Sequence, residues 1–240
     1  MGSVLFYVQY LLGIGHLQRS RRIADALQDL GLDVTLVSGG APTDVLGASR
    51  ARRTVQLPAI RARDAGFALF DETGRPVGEA VWEARRRALL AALRAAGPDV
   101  VVLEGFPFAR RAFRVELDPL IAAARNRRPR PRLVSSIRDI LVVRDDPARQ
   151  REIVERVRAD FDLVLVHGDP AFVPLEASFR AAPDIADRIA YTGYVADAEE
   201  EEEEAETAGE SADGEHTEIV VSAGGGAAGR ALLETALAAR

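Results

Sequence analysis

Cysteine and lysine are both absent from this sequence of 240 residues. The absence of cysteine excludes disulfide bonds and thiolate metal sites, and it fits a chain that works in a reducing cytoplasm. The absence of lysine makes all 31 basic residues arginine, which excludes a Schiff-base lysine and a P-loop. Histidine is scarce, and His16, His167 and His216 lack the spacing of metal ligands. We therefore expect no bound metal.

The net charge of −6 conceals an uneven distribution of acids. Of the 37 acidic residues, 12 lie in residues 197–218, which leaves 25 acids against 31 arginines elsewhere. A run of like charge with Gly, Ser and Ala is typical of a disordered linker. We therefore predict that 197–218 is a linker and that the folded part of the chain is mildly basic.

Long apolar runs are missing too, since no stretch reaches the roughly 20 residues that a membrane-spanning helix needs. The first residues, Met1-Gly2-Ser3, carry no charged region ahead of the first apolar run, so no signal peptide is expected. These features predict a cytoplasmic protein. Because a basic surface suits anionic lipids, peripheral contact with the inner face of the membrane is a further expectation.

Short apolar runs alternate with helical patterns, which favours an α/β fold with a doubly wound, Rossmann-like parallel sheet. Strands are predicted at 4–8, 33–37, 55–57, 99–103, 132–136, 163–166 and 189–191, and helices at 16–30, 81–96, 111–126 and 147–159. Residues 58–80 are expected to form an irregular surface segment near a site. Ligands bind beyond the carboxyl ends of parallel strands. Four stretches lie there: 13–16, 104–108, 137–139 and 167–170.

A loop with two glycines follows the first strand. Gly13 and Gly15 are expected to permit a tight turn where side chains would clash. A dinucleotide fingerprint would need a third glycine where Gln18 stands, and an acid where the second strand ends in Ser38-Gly39-Gly40. A nicotinamide cofactor is therefore not expected, and the loop indicates anion binding only in general terms.

The helix after this loop begins at His16, and Ile23, Leu27 and Leu30 are expected to share its buried face. The positive end of a helix dipole disfavours imidazolium, so the His16 ring is expected to be neutral near pH 7. A neutral ring can accept a proton from a hydroxyl, as a general base does. His16 is therefore the candidate catalytic residue, and the alternative is that it caps the helix or packs.

Four further residues near strand ends are candidates for acceptor binding: Glu104, Phe106, Arg138 and His167. Glu104 is suited to bind sugar hydroxyls or to orient a base, and otherwise it is a solvated carboxylate. Phe106, together with Phe108, would give an acceptor an apolar platform or pack in the core. His167 is expected to face the cleft or to shape a turn. No Gly-x-Ser-x-Gly elbow and no nucleic-acid module is present.

Several ordered motifs resemble those of GT-B glycosyltransferases. The most similar group surrounds the peptidoglycan-precursor N-acetylglucosaminyl transferase and monogalactosyldiacylglycerol synthase, and includes an uncharacterised bacterial branch. The motifs are Leu11-Leu12-Gly13-Ile14-Gly15-His16, Glu104-Gly105-Phe106-Pro107-Phe108, His167-Gly168-Asp169-Pro170, Tyr191-Thr192-Gly193-Tyr194-Val195 and a second glycine loop at Gly224-Gly225-Gly226. The resemblance implies an acceptor-side domain at 1–196, the linker at 197–218 and, at 219–240, the first strand, loop and helix of a truncated donor-binding domain.

The resemblance also implies roles for these residues. His16 would lie at the reaction centre, with Gly13 and Gly15 on the acceptor side. Ser222 and the three glycines Gly224, Gly225 and Gly226 would approach the donor diphosphate. The implied function is inverting transfer of a sugar from a nucleotide-diphosphate sugar to a hydroxyl of a glycan, lipid-linked or small-molecule acceptor. Neither a metal nor a cofactor is needed, because helix N-termini can offset the diphosphate charge.

Two alternatives stay open, and the chain is expected to be inactive alone because most of a donor domain is missing from it. A sugar-nucleotide epimerase or hydrolase of the same fold would act without an acceptor. A non-catalytic module would instead bind anionic glycans or lipid head groups through Arg19, Arg21 and Arg22.

Overall fold

A seven-stranded parallel sheet forms the centre of the protein. The computed structural model describes residues 2–62, 68–142, 146–196, 220–222 and 230–239. In chain order the strands are β1 (Ser3–Val8), β2 (Asp33–Ser38), β3 (Arg53–Gln56), β4 (Arg61–Ala62), β5 (Leu69–Phe70), β6 (Val100–Glu104), β7 (Arg132–Arg138), β8 (Leu163–His167) and β9 (Ile189–Tyr191). The main sheet has the order β3-β2-β1-β6-β7-β8-β9, with every pair parallel. The predicted Rossmann-like α/β fold is confirmed.

Helices close both faces of this sheet. They are α1 (Gly15–Asp29), α2 (Asp44–Gly47), α3 (Glu79–Ala96), α4 (Arg114–Arg125) and α5 (Pro147–Asp160), with 3-10 turns at Arg111–Phe113, Leu175–Ala177 and Ala182–Arg188. A further helix, α6 (Arg230–Ala238), has exposed leucines and belongs to neither core. Successive strand residues enter different cores because side chains alternate across a strand. In β1, Leu5 and Tyr7 join the core closed by α3, α4 and α5, whereas Phe6 and Val8 join the core closed by α1 and α2.

Two local features differ from the sequence prediction. Within 58–80, which was expected to be irregular, β4 and β5 form an antiparallel pair. Leu30 was expected on the buried face of α1, but it is 80% exposed because it is the C-cap that follows the last helical turn. Leu17 and Ala24 lie on the buried face instead.

The predicted domain division is described only in part. The linker at 197–218 and the glycines Gly224, Gly225 and Gly226 lie outside the described residues. The helix predicted from about Arg230 is present as α6. Of the strand predicted over 218–223, only 220–222 are described, and these residues are exposed and outside any strand. The division into two domains stays a prediction.

A fully buried ion pair lies beneath the carboxyl ends of β1 and β2. Arg85 of α3 and Glu116 of α4 are both wholly shielded from solvent. The Arg85 guanidinium donates to both carboxylate oxygens of Glu116, at 2.6 and 2.7 Å. The phenol of Tyr7 donates to the same carboxylate at 2.6 Å. Burial, followed by the charge of Glu116, raises the pKa of Tyr7 well above its usual value, so this hydroxyl remains a donor.

The remaining N–H groups of Arg85 bind polar groups at the ends of neighbouring strands. Nη1 donates to the carbonyls of Gly39 and Pro58 at 2.8 and 2.6 Å, and Nη2 donates to Oε1 of Gln9 at 2.8 Å. All five donors of the guanidinium are therefore used, which lysine with its three donors could not achieve. The network fixes the loops that follow β1, β2 and β3.

Candidate active site

The site lies where the direction of strand order reverses. From β1 the chain moves outward through β2 and β3, then returns to place β6 on the other side of β1. Loops that leave adjacent strands in opposite directions open a crevice at the carboxyl edge, which is the usual ligand position in doubly wound sheets. The loop after β1 leads to His16 in the first turn of α1, and β6 ends at Glu104. The two predicted site residues therefore meet at this crevice.

His16 and Glu104 form a hydrogen-bonded dyad. Nδ1 of His16 lies 2.6 Å from Oε1 of Glu104. The Glu104 side chain is 1% exposed, whereas the His16 side chain is 38% exposed. The histidine therefore faces the crevice while the carboxylate lies behind it, as in a base with an orienting partner.

Cationic side chains keep Glu104 ionised despite its burial. Nη2 of Arg19 donates to Oε1 at 2.8 Å, and Nη2 of Arg110 lies 3.6 Å from Oε2. Burial alone would raise the pKa of Glu104, but the hydrogen bond and charge of His16, with the charges of Arg110 and Arg19, lower it on balance. An ionised carboxylate can only accept a hydrogen bond, so Nδ1 of His16 carries a proton. In the neutral ring, Nε2 is then the proton acceptor.

The two glycines of the first loop are not needed for the reason inferred from the sequence. A Cβ added at Gly13 or Gly15 would meet no described atom within 4 Å, and neither residue has a positive φ. The expected clash of side chains is therefore wrong. Close packing does require glycine at Gly39 and Gly40, where a Cβ would lie 2.2 Å from Oε1 of Gln9 and 2.4 Å from the ring of Tyr10. It also requires Gly168, where a Cβ would lie 2.5 Å from that of Asp139.

His167 is the last residue of β8, and it lies inside the protein rather than in the crevice. The residue is 5% exposed. Its Nε2 lies 2.8 Å from Oγ of Ser136, and its Nδ1 lies 2.8 Å from Oγ1 of Thr192. Burial, followed by the charge of Arg19, lowers the pKa of His167 to about 4. The ring is thus neutral at pH 7 and ties β7, β8 and the segment after β9 together, rather than presenting itself to an acceptor.

This buried histidine is expected to make stability pH-dependent. In the unfolded chain its pKa is about 6.5, so between pH 6.5 and about 4 the unfolded state binds more protons and is favoured. The free energy of unfolding should therefore fall by up to about 3 kcal/mol across that window as the pH is lowered. Urea denaturation of the native chain and of His167→Gln at several pH values measures this. Parallel pH dependence in the two proteins would contradict the assignment.

Phe106 is not brought to the dyad. Arg138 lies near the dyad, since burial and the charge of Arg138 lower the pKa of Arg19, which donates to Glu104. Phe106 is fully buried, where its ring centroid lies 6.3 Å from that of Phe161, so its predicted contact with an acceptor is replaced by a core role. The Arg138 side chain is 56% exposed and lies 3.6 Å from Asp139. Phe108 lines a cavity beside the site, with its ring centroid 5.2 Å from that of Phe179.

The arginines around Glu104 were not identified as a group. Arg19 was grouped with Arg21 and Arg22 as a patch for anionic head groups, but Arg19 donates to Glu104 and Arg21 donates to Asp25 at 2.7 Å. The position of Arg19, three residues after His16 on a helix, does indicate that the two side chains are neighbours. Arg110 gave no such signal, since its contact depends on a left-handed backbone with φ 62°.

The described ranges contain neither a cluster of metal ligands nor a helix able to cross a membrane. No group of three or more His, Cys, Asp or Glu side chains there could hold a metal ion. None of the helices described combines the length and apolarity that crossing a bilayer requires.

Strand order, parallel pairing and a crevice at the switch point define a doubly wound, Rossmann-like protein. Comparison with solved structures finds apo UGT2 of Phytolacca americana at a TM-score of 0.50 and 12% identity, covering 82% of this chain and 53% of that one. The calicheamicin glycosyltransferase CalG4 matches with a TM-score of 0.45 and 18% identity, and the match covers 80% of this chain and 53% of that one. MurG of Acinetobacter baumannii matches with a TM-score of 0.42 and 15% identity, and the match covers 70% of this chain and 42% of that one.

The similarity to UGT2 concerns the fold alone, and in fold it agrees with the resemblance to GT-B glycosyltransferases. The chain spans about half the length of these structures, 42% to 53%. No protein-family model matches the sequence, and no curated protein matches it.

Proposed function

We propose that this chain is the acceptor-side half of a glycosyltransferase that moves a sugar from a nucleotide-diphosphate sugar to an acceptor hydroxyl. The observation that carries the proposal is the 2.6 Å contact between His16 and Glu104 at the switch point of the sheet. A half-exposed imidazole backed by a buried carboxylate is the arrangement that general-base catalysis requires. The resemblance of the sequence motifs to those of GT-B glycosyltransferases supports sugar transfer as the reaction of this base.

The proposed step is a direct displacement. The acceptor hydroxyl gives its proton to Nε2 of His16 while its oxygen forms a bond to the anomeric carbon. The bond from that carbon to the diphosphate oxygen breaks, and the nucleotide diphosphate leaves with the electron pair. Attack opposite the leaving group inverts the configuration. Glu104 stabilises the imidazolium as it forms, because its carboxylate accepts the Nδ1 proton in a hydrogen bond.

The donor side of the reaction is assigned to the end of the chain. Ser222 and the glycines Gly224 to Gly226 would approach the diphosphate, with helix N-termini in place of a metal ion to offset its charge. Because the chain spans about half of the similar structures, we expect it to need further donor-binding residues for turnover. The proposal places the reaction in the cytoplasm, with a glycan, lipid-linked or small-molecule acceptor.

The test is product formation by the complete gene product. Incubation with nucleotide sugars and hydroxyl acceptors should give glycosylated acceptor by mass spectrometry. Glu104→Gln should lower kcat by roughly 10²-fold with little change in the donor KM, because the amide cannot stabilise an imidazolium as a carboxylate does. Glu83→Gln, which alters an exposed carboxylate on α3, is the matched control and should keep full activity.

Three outcomes would overturn the proposal. Release of free sugar or an epimer with no acceptor present would identify a hydrolase or epimerase. Equal turnover by Glu104→Gln and the native protein would remove the dyad from the mechanism. Absence of any activity, together with salt-sensitive binding to anionic vesicles, would instead identify a binding module.

A further inference from the structure

A mostly apolar cavity of about 350 Å³ lies beside the dyad. Its walls come from the loop after β1, from β5, from the segment after β6 and from α5. The apolar lining residues that matter here are Leu11, Leu69, Phe108, Phe113, Leu141 and Phe179. Arg110 connects the cavity to the dyad, since it lines the cavity and its Nη2 lies 3.6 Å from Oε2 of Glu104. The volume falls at the lower end of the range for sites that hold small organic ligands.

The charged groups of the cavity all have one sign. Three arginines line it, Arg110, Arg111 and Arg149, and no aspartate or glutamate is among the described lining residues. Two of these arginines have acidic partners outside the lining. Arg149 pairs with Glu152 at 2.8 Å, and Arg110 faces Glu104.

Arg111 is the third arginine of the cavity lining. It is exposed in the 3-10 turn before α4. Its guanidinium makes no hydrogen bond or ion pair with another residue of the described ranges. An apolar chamber with an unpaired guanidinium favours a ligand that is apolar in body and anionic at one point, because such a ligand buries its rings and supplies the missing charge. It disfavours cationic and highly polar ligands.

We propose that this cavity binds the acceptor, and that the acceptor is a hydroxyl-bearing aromatic acid. This inference rests on the proposed function and narrows its acceptor class. The half-buried ring of Phe108 is the one that an aromatic body can contact, and it packs against Phe179 behind it. The acid group pairs with Arg111, while the hydroxyl lies on the Arg110 side, which is the part of the lining nearest to Glu104.

Two fluorescent probes that share one ring system test the proposal by binding alone. One is 1-anilinonaphthalene-8-sulfonate, whose sulfonate stands in for the acid, and the other is the uncharged N-phenyl-1-naphthylamine. The native chain should bind both, and the sulfonate more tightly. Arg111→Ala should weaken sulfonate binding about tenfold and change binding of the neutral probe less than twofold, as expected for loss of one charged contact. Phe108→Ala should weaken both probes.

Arg94→Ala is the matched control, because Arg94 is an exposed arginine of α3 outside the cavity lining, and it should change neither affinity. Circular dichroism checks that each variant is folded, and Arg111→Ala decides the question even if Phe108→Ala does not fold. Equal affinity for the two probes, an unchanged sulfonate affinity in Arg111→Ala, or no binding of either probe would overturn the inference. None of these outcomes depends on sugar transfer, so failure here is distinguishable from failure of the proposed function.

Discussion

Replacement of His16 by alanine is expected to lower kcat for sugar transfer by about 10³-fold in the complete gene product, with the donor KM nearly unchanged. The reason is that the acceptor hydroxyl, with a pKa far above 7, loses the group that takes its proton during attack. Steady-state kinetics with saturating donor and acceptor measures the effect.

The control for this variant is Gln18→Ala in the same helix, which should retain activity. Added imidazole should restore part of the turnover of His16→Ala, because a free base can enter the space that the ring vacates, and a merely misfolded protein would show no such rescue. A kcat for His16→Ala within a factor of three of the native value would exclude His16 as the base.

The second large effect concerns stability and lies at the buried ion pair. Arg85→Met is expected to lower the free energy of unfolding by about 3 to 5 kcal/mol, because it leaves the Glu116 carboxylate without its counterion. It also removes the donors that satisfy two carbonyls and Gln9. Urea denaturation followed by circular dichroism measures the change in midpoint.

Two comparisons make the interpretation specific. Arg94→Met changes an exposed arginine of the same helix and should cost less than about 0.5 kcal/mol. The double variant Arg85→Met with Glu116→Leu should be more stable than Arg85→Met alone, since it removes the uncompensated charge. A loss below 1 kcal/mol in Arg85→Met would show that the pair does not stabilise the fold as its geometry implies.

The fold could be predicted from the sequence because its strands are apolar runs. A run such as 100–103 is apolar at every position because both faces of the strand are covered. Such runs, spaced by helical patterns, leave few alternatives to a parallel sheet. The order of strands did not follow from these patterns. The proximity of His16 and Glu104 depends on β1 and β6 being neighbours, so the sequence offered two separate candidates and the structure joins them.

The roles of the aromatic residues could not be predicted for a related reason. Phe106 and Phe108 are two residues apart, so a continued strand would place both side chains on the same face. The chain turns at Gly105, which has φ 77°, and the alternation of strand side chains ends there. Phe106 then enters the core and Phe108 reaches the cavity.

Arg85, by contrast, left a readable signal. It stands three residues after Trp82 and four before Leu89, so it occupies an apolar position of helix α3. A charged residue at such a position predicts a buried partner. The identity of that partner, Glu116 on a different helix, required the packing of α3 against α4.

The space around Gly13 and Gly15 is open, so larger side chains would fit at both positions. Alanine at either position would meet no described atom, and at Gly15, inside α1, it would favour the helix by up to about 1 kcal/mol. Folding therefore gains nothing from glycine at Gly15 and does not require it at Gly13. A molecule that approaches the first turn of α1 closely would be obstructed by an added methyl group. Packing of the described residues therefore does not account for the two glycines, whereas close approach of a ligand to the first turn of α1 would.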